Sequence, residues 1–183
     1  MRLRLLSLLL LVPLFPLASS AGDKKANPYS KAKVGDYVSY RMTTSVMGKE
    51  FKIDLKQTVT EKSDTEVTVK TTTMLGGKDL PGQTNKIDLT KPFDPAAIAT
   101  QNGKKGKFEK KAEGKEKVKI GDKTYDCTWI SGKMTADFKG NTVESDVKVW
   151  TSKAVPLGGM VKLELKSDFA DVRMEVSGSG SEK

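Results

Sequence analysis

Apolar and polar residues alternate one by one along most of the chain from Asp36 onward, and this pattern constrains the fold more than any other feature. The apolar positions fall in runs at 38–42, 51–59, 67–69, 118–120, 125–129, 143–149, 161–165 and 172–176. A period of two places successive side chains on opposite faces of a strand. A polar face on every run is typical of antiparallel sheets with one solvated side. We therefore predict an all-β fold, an antiparallel sheet of about ten strands that forms a curved half-barrel, a barrel or a sandwich.

One short helix is predicted between the two groups of runs. Asp94 can act as an N-cap, Pro95 occupies the first helical position and Ala96–Ala99 continue the segment. A helix of this length cannot bridge parallel strands, whose crossover needs about a dozen residues or more. The helix signal therefore agrees with the antiparallel prediction.

The first 21 residues have the organisation of a secretory signal peptide. Arg2 and Arg4 form a basic start, an apolar run follows, and small residues lead up to Ala21. Pro13 and Pro16 break the run short of the roughly 20 apolar residues that a membrane-spanning helix needs. We expect export to the periplasm or the cell exterior with cleavage after Ala21, and no transmembrane segment in the mature protein.

The remaining length suits one domain with an ordinary core. We expect an N-terminal lead segment at 22–35 and a single β domain at 36–176. The Ser-Gly repeat that follows has the composition of a flexible linker. Residues 177–183 are therefore predicted to form a disordered tail.

Cys127 is the single cysteine of the chain, and the chain has no histidine. An intramolecular disulfide is thus excluded, and stability must come from packing. Cys127 alternates with Tyr125 and Trp129, so we interpret it as a small core residue in preference to a reactive thiol or an intermolecular disulfide. The lack of histidine removes most hydrolase triads and zinc sites, and we expect no metal site and no cofactor.

Lysine dominates the stretch from 104 to 119, in a chain whose formal net charge is +9. The lysines are Lys104, Lys105, Lys107, Lys110, Lys111, Lys115, Lys117 and Lys119. One hypothesis is a flexible basic loop and hairpin that binds an anionic envelope polymer through charge. The alternative is a solvated hairpin, which is what charge runs usually are. Phe108 is the only aromatic residue in the stretch, so the stacking platform of a single-strand binder is missing, and we expect no specific nucleic acid partner.

Glu144 and Asp146 are the paired carboxylates that could support hydrolysis without histidine. Both lie on the polar side of a strand whose apolar side carries Val143, Val147 and Val149. We interpret them as a solvated strand face and predict that the protein is not an enzyme.

A curled sheet could hold an apolar ligand on one face. The candidate lining residues are Tyr40, Met42, Phe51, Leu55, Trp129 and Leu163, and the same residues would fill the core of a sandwich. Our hypothesis is an exported, non-enzymatic protein that binds a lipid, another apolar small molecule or an envelope-associated ligand. The alternative is a structural or interaction module of the envelope that uses the basic hairpin or an open sheet edge.

Three segments carry a resemblance to known proteins, namely Lys33–Tyr37, Tyr125–Trp129 and Val149–Lys162. Together they resemble a group of uncharacterised secreted bacterial β proteins. The resemblance implies export and an antiparallel fold, and it brings no activity and no site residue with it. A looser similarity of layout links the chain to the curved half-barrels of periplasmic lipoprotein carriers.

Overall fold

The computed structural model describes residues 27–46, 48–91, 107–138 and 141–182, and within these ranges nine strands form one sheet. The predicted antiparallel all-β fold is confirmed. The strands are β1 (Asp36–Val46), β2 (Lys49–Lys62), β3 (Glu66–Leu75), β4 (Lys78–Asp88), β5 (Lys107–Ile120), β6 (Lys123–Phe138), β7 (Asn141–Thr151), β8 (Met160–Lys166) and β9 (Ala170–Ser181).

Two antiparallel meanders share a central pairing. β1 to β4 pair in succession, β5 to β9 do the same, and β1 joins β9, which gives the order β4-β3-β2-β1-β9-β8-β7-β6-β5. β4 and β5 are therefore the two edges of an open sheet. Cα atoms of β5 come within 8 Å of those of β9, four strands away in this order, so the sheet curls. Of the three predicted arrangements, this open curled sheet fits the half-barrel.

One face of the sheet, here called the inner face, carries the main core. Met42 pairs with Met174, Met174 pairs with Leu163, and Leu163 pairs with Val149. All four side chains are buried, and residues two positions along each strand continue the same apolar face. The opposite face, here called the outer face, carries ion pairs such as Arg41–Asp54 and Lys133–Glu144.

The lead segment closes one end of the inner face. Pro28–Lys31 form a 3-10 turn, capped by the Asn27 side chain, which accepts a hydrogen bond from the backbone N–H of Tyr29 at 3.1 Å. Asn27 also donates to the carbonyl of Asp88 at 3.1 Å, which ties the turn to the end of β4. Tyr29 is buried in the core, and burial raises its pKa. The lead segment is thus part of the packed domain.

The disorder predicted for the tail is wrong between Ser177 and Ser181, because these residues form the end of β9. Ser181 pairs with Asp36 of β1, and the backbone N–H of Glu182 donates to the carbonyl of Gly35 at 2.8 Å. The Ser-Gly composition indicated a flexible linker, but the central strand β1 offers unpaired backbone groups that this segment satisfies.

β4 is the strand that the alternation did not predict. It contains Pro81 and Gly82 and has few apolar residues. Proline is tolerated in an edge strand because its missing N–H can face away from the ladder. The helix predicted at 94–99 lies outside the described residues. None of the helical segments within those residues is long and apolar enough to cross a membrane.

Candidate functional site

The six predicted ligand-lining residues do not form one group. Tyr40, Met42, Leu55 and Leu163 are buried on the inner face, and Phe51, opposite Thr44, is a partly buried member of the same face. Trp129 lies on the outer face, because its neighbour Ile130 is the residue that pairs with Val149. The inner-face residues pack against one another as a core, so their burial needs no ligand, and the apolar-ligand hypothesis stays a prediction.

The basic stretch is a strand for most of its length. β5 contains the predicted lysines from 107 to 119, while Lys104 and Lys105 lie outside the described residues. Three of the strand's lysines form ion pairs, with distances of 2.6 Å for Lys110–Glu113, 3.7 Å for Lys111–Asp146 and 3.0 Å for Lys117–Asp126. Within the described residues, the basic stretch is therefore one arm of a hairpin: β5 is an edge strand that pairs with β6 across the turn between Ile120 and Lys123, with one β-bulge between Lys110 and Ala112.

The apolar side of the sheet changes face within β6. Tyr125, Cys127 and Trp129 point to the outer face, whereas Ile130 and Met134 point to the inner face. The apolar/polar alternation shifts by one residue at this point, because Trp129 and Ile130 are adjacent apolar residues that point to opposite faces. A second apolar cluster therefore lies on the outer face, opposite the main core.

Cys127 belongs to this outer cluster. Its side chain is 4% exposed, which confirms the prediction of a small buried residue. Burial raises the pKa of the Cys127 thiol to about 11, and the nearby carboxylates of Glu116 and Asp126 act in the same direction. The thiol is therefore a weak nucleophile at neutral pH.

Beside Cys127, five outer-face residues form what we call the tryptophan–lysine cluster: Glu116, Trp129, Lys148, Trp150 and Lys162. The two indoles are direct cross-strand partners on β6 and β7. The Lys148 ammonium lies 4.3 Å from the ring centroid of Trp129 and 4.5 Å from that of Trp150. The Lys162 ammonium lies 4.9 Å from the Trp150 ring. Such cation–π contacts contribute about 0.5–1 kcal/mol each at exposed sites, so both ammonium groups are held in place.

Glu116 completes the cluster from β5. Its carboxylate accepts a hydrogen bond from the Trp150 indole N–H and lies 3.3 Å from the Lys148 ammonium. The hydrogen bond from Trp150 is the main cause that lowers the pKa of Glu116, and Lys148 adds to it. Trp150 is thus oriented by a hydrogen bond as well as by packing.

Gly114 makes room for the Trp129 ring. The two residues are cross-strand partners, and a Cβ at position 114 would lie 2.8 Å from two carbons of the indole. Real Cβ atoms essentially never approach a ring carbon below 3.0 Å. The position of Trp129 therefore depends on glycine at 114.

A shallow cleft of about 190 Å³ adjoins the cluster on the outer face. It shares Lys148 with the cluster and is also lined by Lys111, Ser131, Gly132, Asp146, Val147, Glu164 and Lys166. Lys111 is only loosely paired with Asp146, and Lys166 takes part in none of the ion pairs found among the described residues. Three lysines against two acids give this lining a formal charge of +1, so it can hold an anionic group beside the tryptophan–lysine cluster.

The acidic pair on β7 does not form a separate site. Glu144 lies 3.2 Å from Lys133, and Asp146 lies 3.7 Å from Lys111. Both carboxylates are exposed on the outer face, as predicted from the alternation. Among the described residues, no group of three or more potential metal-ligating side chains was found.

Sequence reasoning missed most of this site. It singled out Trp129 for the wrong face, and it gave no role to Glu116, Lys148, Trp150 or Lys162. The available signal was the pair of adjacent apolar residues at Trp129-Ile130 and again at Val149-Trp150. In an alternating strand, such a pair requires an apolar environment on both faces.

Comparisons with known proteins establish the fold. A protein from Bacteroides fragilis, named as an exported protein with a YmcC-like fold, superposes with a TM-score of 0.54 and 13% identity. The match covers 81% of this chain and 97% of that one. The chain is thus similar in fold to this protein. A protein from Parabacteroides distasonis, named as a lipoprotein, gives a TM-score of 0.52 and 10% identity over 81% of this chain and 96% of its own.

Searches by sequence add no family to this result. No protein-family model matches the chain, and no curated protein matches it. The names of these two neighbours are consistent with the predicted group of secreted bacterial β proteins. The similarity to lipoprotein-carrier half-barrels stays a prediction.

Proposed function

We propose that this chain is an exported, non-enzymatic protein that binds an anionic polymer of the bacterial envelope on the outer face of β6, β7 and β8. Export is supported by the signal-peptide organisation of residues 1–21 and by the names of the two structural neighbours. Cleavage after Ala21 is part of the proposal.

One observation carries the binding site. Lys111, Lys148 and Lys166 line a single cleft beside the two tryptophans of the chain, which lie with Tyr125 and Cys127 on the outer face. An anionic group in the cleft would contact several ammonium groups, and the rigid indole of Trp129 offers an apolar surface to the backbone of the polymer. The excess of lysine over acid in the chain favours the approach of such a ligand.

The positions of the carboxylates favour binding over catalysis. The Glu116 carboxylate accepts a hydrogen bond from Trp150 and pairs with Lys148. Glu144 and Asp146 each lie near a lysine on an exposed strand face. A pair of catalytic carboxylates would flank a cleft and have contrasting environments. Asp146 lines the cleft but Glu144 does not, so the two carboxylates do not face each other across it.

Affinity for polygalacturonate, an anionic polysaccharide, with neutral dextran as reference, tests the proposal. The double variant Lys148→Gln, Lys166→Gln should bind polygalacturonate at least about tenfold more weakly, because each charge-assisted contact contributes about 1.5–3 kcal/mol. Lys70→Gln is the single-charge control, since it removes one lysine charge from an exposed position on distant β3.

The salt dependence of binding provides a second readout. The double variant should show a shallower loss of affinity with added salt than the wild type, because fewer lysines contact the polymer. An equal loss of affinity in Lys70→Gln, or equal binding of dextran, would show that the cluster is not the site.

A further inference from the structure

The two edge strands of the sheet differ in what their backbones offer to a partner. Among the described residues, β4 and β5 each pair with one neighbour only, so each has a row of backbone N–H and C=O groups on its free side. β4 contains Pro81, which has no N–H, and its register with β3 shifts between Thr71 and Thr73. β5 contains no proline, and its register with β6 runs without a shift from Ala112 to Ile120. We call Ala112–Ile120 the open edge.

The two edge strands also differ in charge. The two lysines and two aspartates of β4 cancel, whereas β5 has six lysines and three glutamates, which give it a formal charge of +3. Lysines on an edge strand discourage pairing with another basic strand, because like charges would then lie opposite each other. The same lysines attract an acidic strand. The charge of β5 therefore selects among possible partners.

Three lysines form a row along the open edge. Gly114 points to the outer face, so Lys115, Lys117 and Lys119 share the opposite side of β5. All three are exposed, and they repeat about every 7 Å along the strand. An incoming strand would place every second side chain next to this row, which we call the lysine row.

The acidic residues near the lysine row neutralise it only in part. Glu113, the preceding residue on the same side, pairs with Lys110 at 2.6 Å. Asp126 lies 3.0 Å from Lys117, the middle lysine of the row. The two outer lysines of the row, Lys115 and Lys119, take part in none of the ion pairs found among the described residues. Two ammonium groups are thus available to carboxylates of a partner.

We propose that the open edge binds an extended acidic segment of another protein as an additional strand of the sheet. Main-chain hydrogen bonds hold the segment, and acidic side chains at alternate positions face the lysine row. A second copy of this chain does not fit, because its formal net charge is +9 and two β5 strands would bring their lysines together.

This edge is separate from the proposed polymer site. The cleft and the tryptophan–lysine cluster lie on the outer face and include Lys111 and Glu116 of β5. The lysine row lies on the other side of the strand. The polymer-site variant Lys148→Gln, Lys166→Gln should therefore bind an acidic strand as the wild type does. Failure of the polymer experiment would leave the edge proposal standing, and the reverse also holds.

Binding of a synthetic peptide tests the proposal with the protein purified from the exported fraction. The probe alternates glutamate with threonine, is about eight residues long and carries a fluorescent label. We expect saturable binding, measured by fluorescence polarisation. The same peptide N-methylated throughout keeps its charge but has no backbone N–H to donate. It should bind at least about tenfold more weakly, because several main-chain hydrogen bonds are lost.

A pair of double variants tests the lysine row. Lys115→Gln, Lys119→Gln should bind the peptide about fourfold more weakly, since each lost cross-strand charge pair accounts for about twofold. Lys70→Gln, Lys78→Gln is the matched control. It removes two exposed lysines from β3 and β4, on the far side of the sheet. This control should bind as the wild type does.

Hydrogen exchange locates the bound peptide. The peptide should slow exchange of amides within Ala112–Ile120 and leave those of β4 unchanged, because only amides that gain a strand partner become protected. Four outcomes would overturn the proposal: no saturable binding, equal binding of the N-methylated peptide, an equal loss in the control variant, or unchanged exchange within the open edge.

Discussion

Replacing Gly132 by alanine tests the packing of the edge strand β5 on β6. Gly132 lies on the inner face of β6, opposite Val147. A Cβ at this position would lie 2.1 Å from the carbonyl oxygen of Glu109 and 2.8 Å from the end of the Phe108 ring. Glu109 and Phe108 belong to β5, so the new methyl group would push this strand away from the core.

The expected loss of stability follows from the displacement of the β5 backbone. Real Cβ atoms essentially never come closer than 3.0 Å to such an atom, so the separation must grow by nearly an ångström. The obstacle is a backbone carbonyl, which cannot rotate away as the end of a flexible side chain could. Overpacking of this kind costs about 1–3 kcal/mol. We expect Gly132→Ala to lower the free energy of unfolding by that amount, out of a total of about 5–15 kcal/mol for a typical domain.

Gly178→Ala is the matched control, because Gly178 is also a strand glycine without positive φ and has no heavy atom within 4 Å of its Cβ position. Alanine there should be neutral or stabilise the protein by up to about 1 kcal/mol, since it reduces the entropy of the unfolded chain. Urea unfolding followed by tryptophan fluorescence measures both variants. A free energy of unfolding for Gly132→Ala within about 0.5 kcal/mol of that of Gly178→Ala would refute this reasoning.

Three further predictions concern Glu116, Cys127 and the tail. Since its hydrogen bond from Trp150 lowers the pKa of Glu116, the stability it contributes is complete above the ordinary glutamate pKa and is lost as the pH falls through the lowered value. Glu116→Gln should therefore reduce the acid dependence of urea unfolding, and an unchanged dependence would contradict this. With its pKa raised from 9.0 to about 11, Cys127 should react with a thiol reagent at pH 8 about 100-fold more slowly in the folded protein than in urea, and equal rates would show that the thiol is accessible. Hydrogen exchange should show protected amides within Ser177–Ser181, whereas exchange at the rate of an unfolded peptide would restore the disordered tail.

The alternation predicts the paired strands well because their side chains must separate core from solvent. β1, β2, β3, β7, β8 and β9 all follow it over most of their length, each with one buried face. The alternation does not predict β4, because this edge strand contains Pro81 and Gly82 and buries few side chains on either face. The strand structure of the tail is not predicted either, because it comes from backbone pairing with β1. That contact is distant in sequence, and composition does not encode it.

The candidate site was harder to predict for a different reason. Period-two reasoning assigns one apolar face to each strand, and this rule places Trp129 with Tyr40 and Leu163. The structure shows that β6 uses both faces, so the rule holds separately on each side of the Trp129-Ile130 step. Lys148 and Lys162 could not be distinguished from other exposed lysines, since only the register places their ammonium groups over the indoles.

The adjacent apolar residues Trp129-Ile130 and Val149-Trp150 determine how the tryptophan–lysine cluster is held in place. Trp129 pairs with Trp150 on the outer face, and directly beside them Ile130 pairs with Val149 on the inner face. The sheet therefore carries apolar side chains on both sides at these positions, and the indoles are anchored by the strands that form the main core. It follows that a change in the core at Val149 would also displace the cluster, so loss of binding in such a variant would not identify a contact with the ligand. Lys148 and Lys166 are the better probes, because both line the cleft and neither belongs to the buried apolar core.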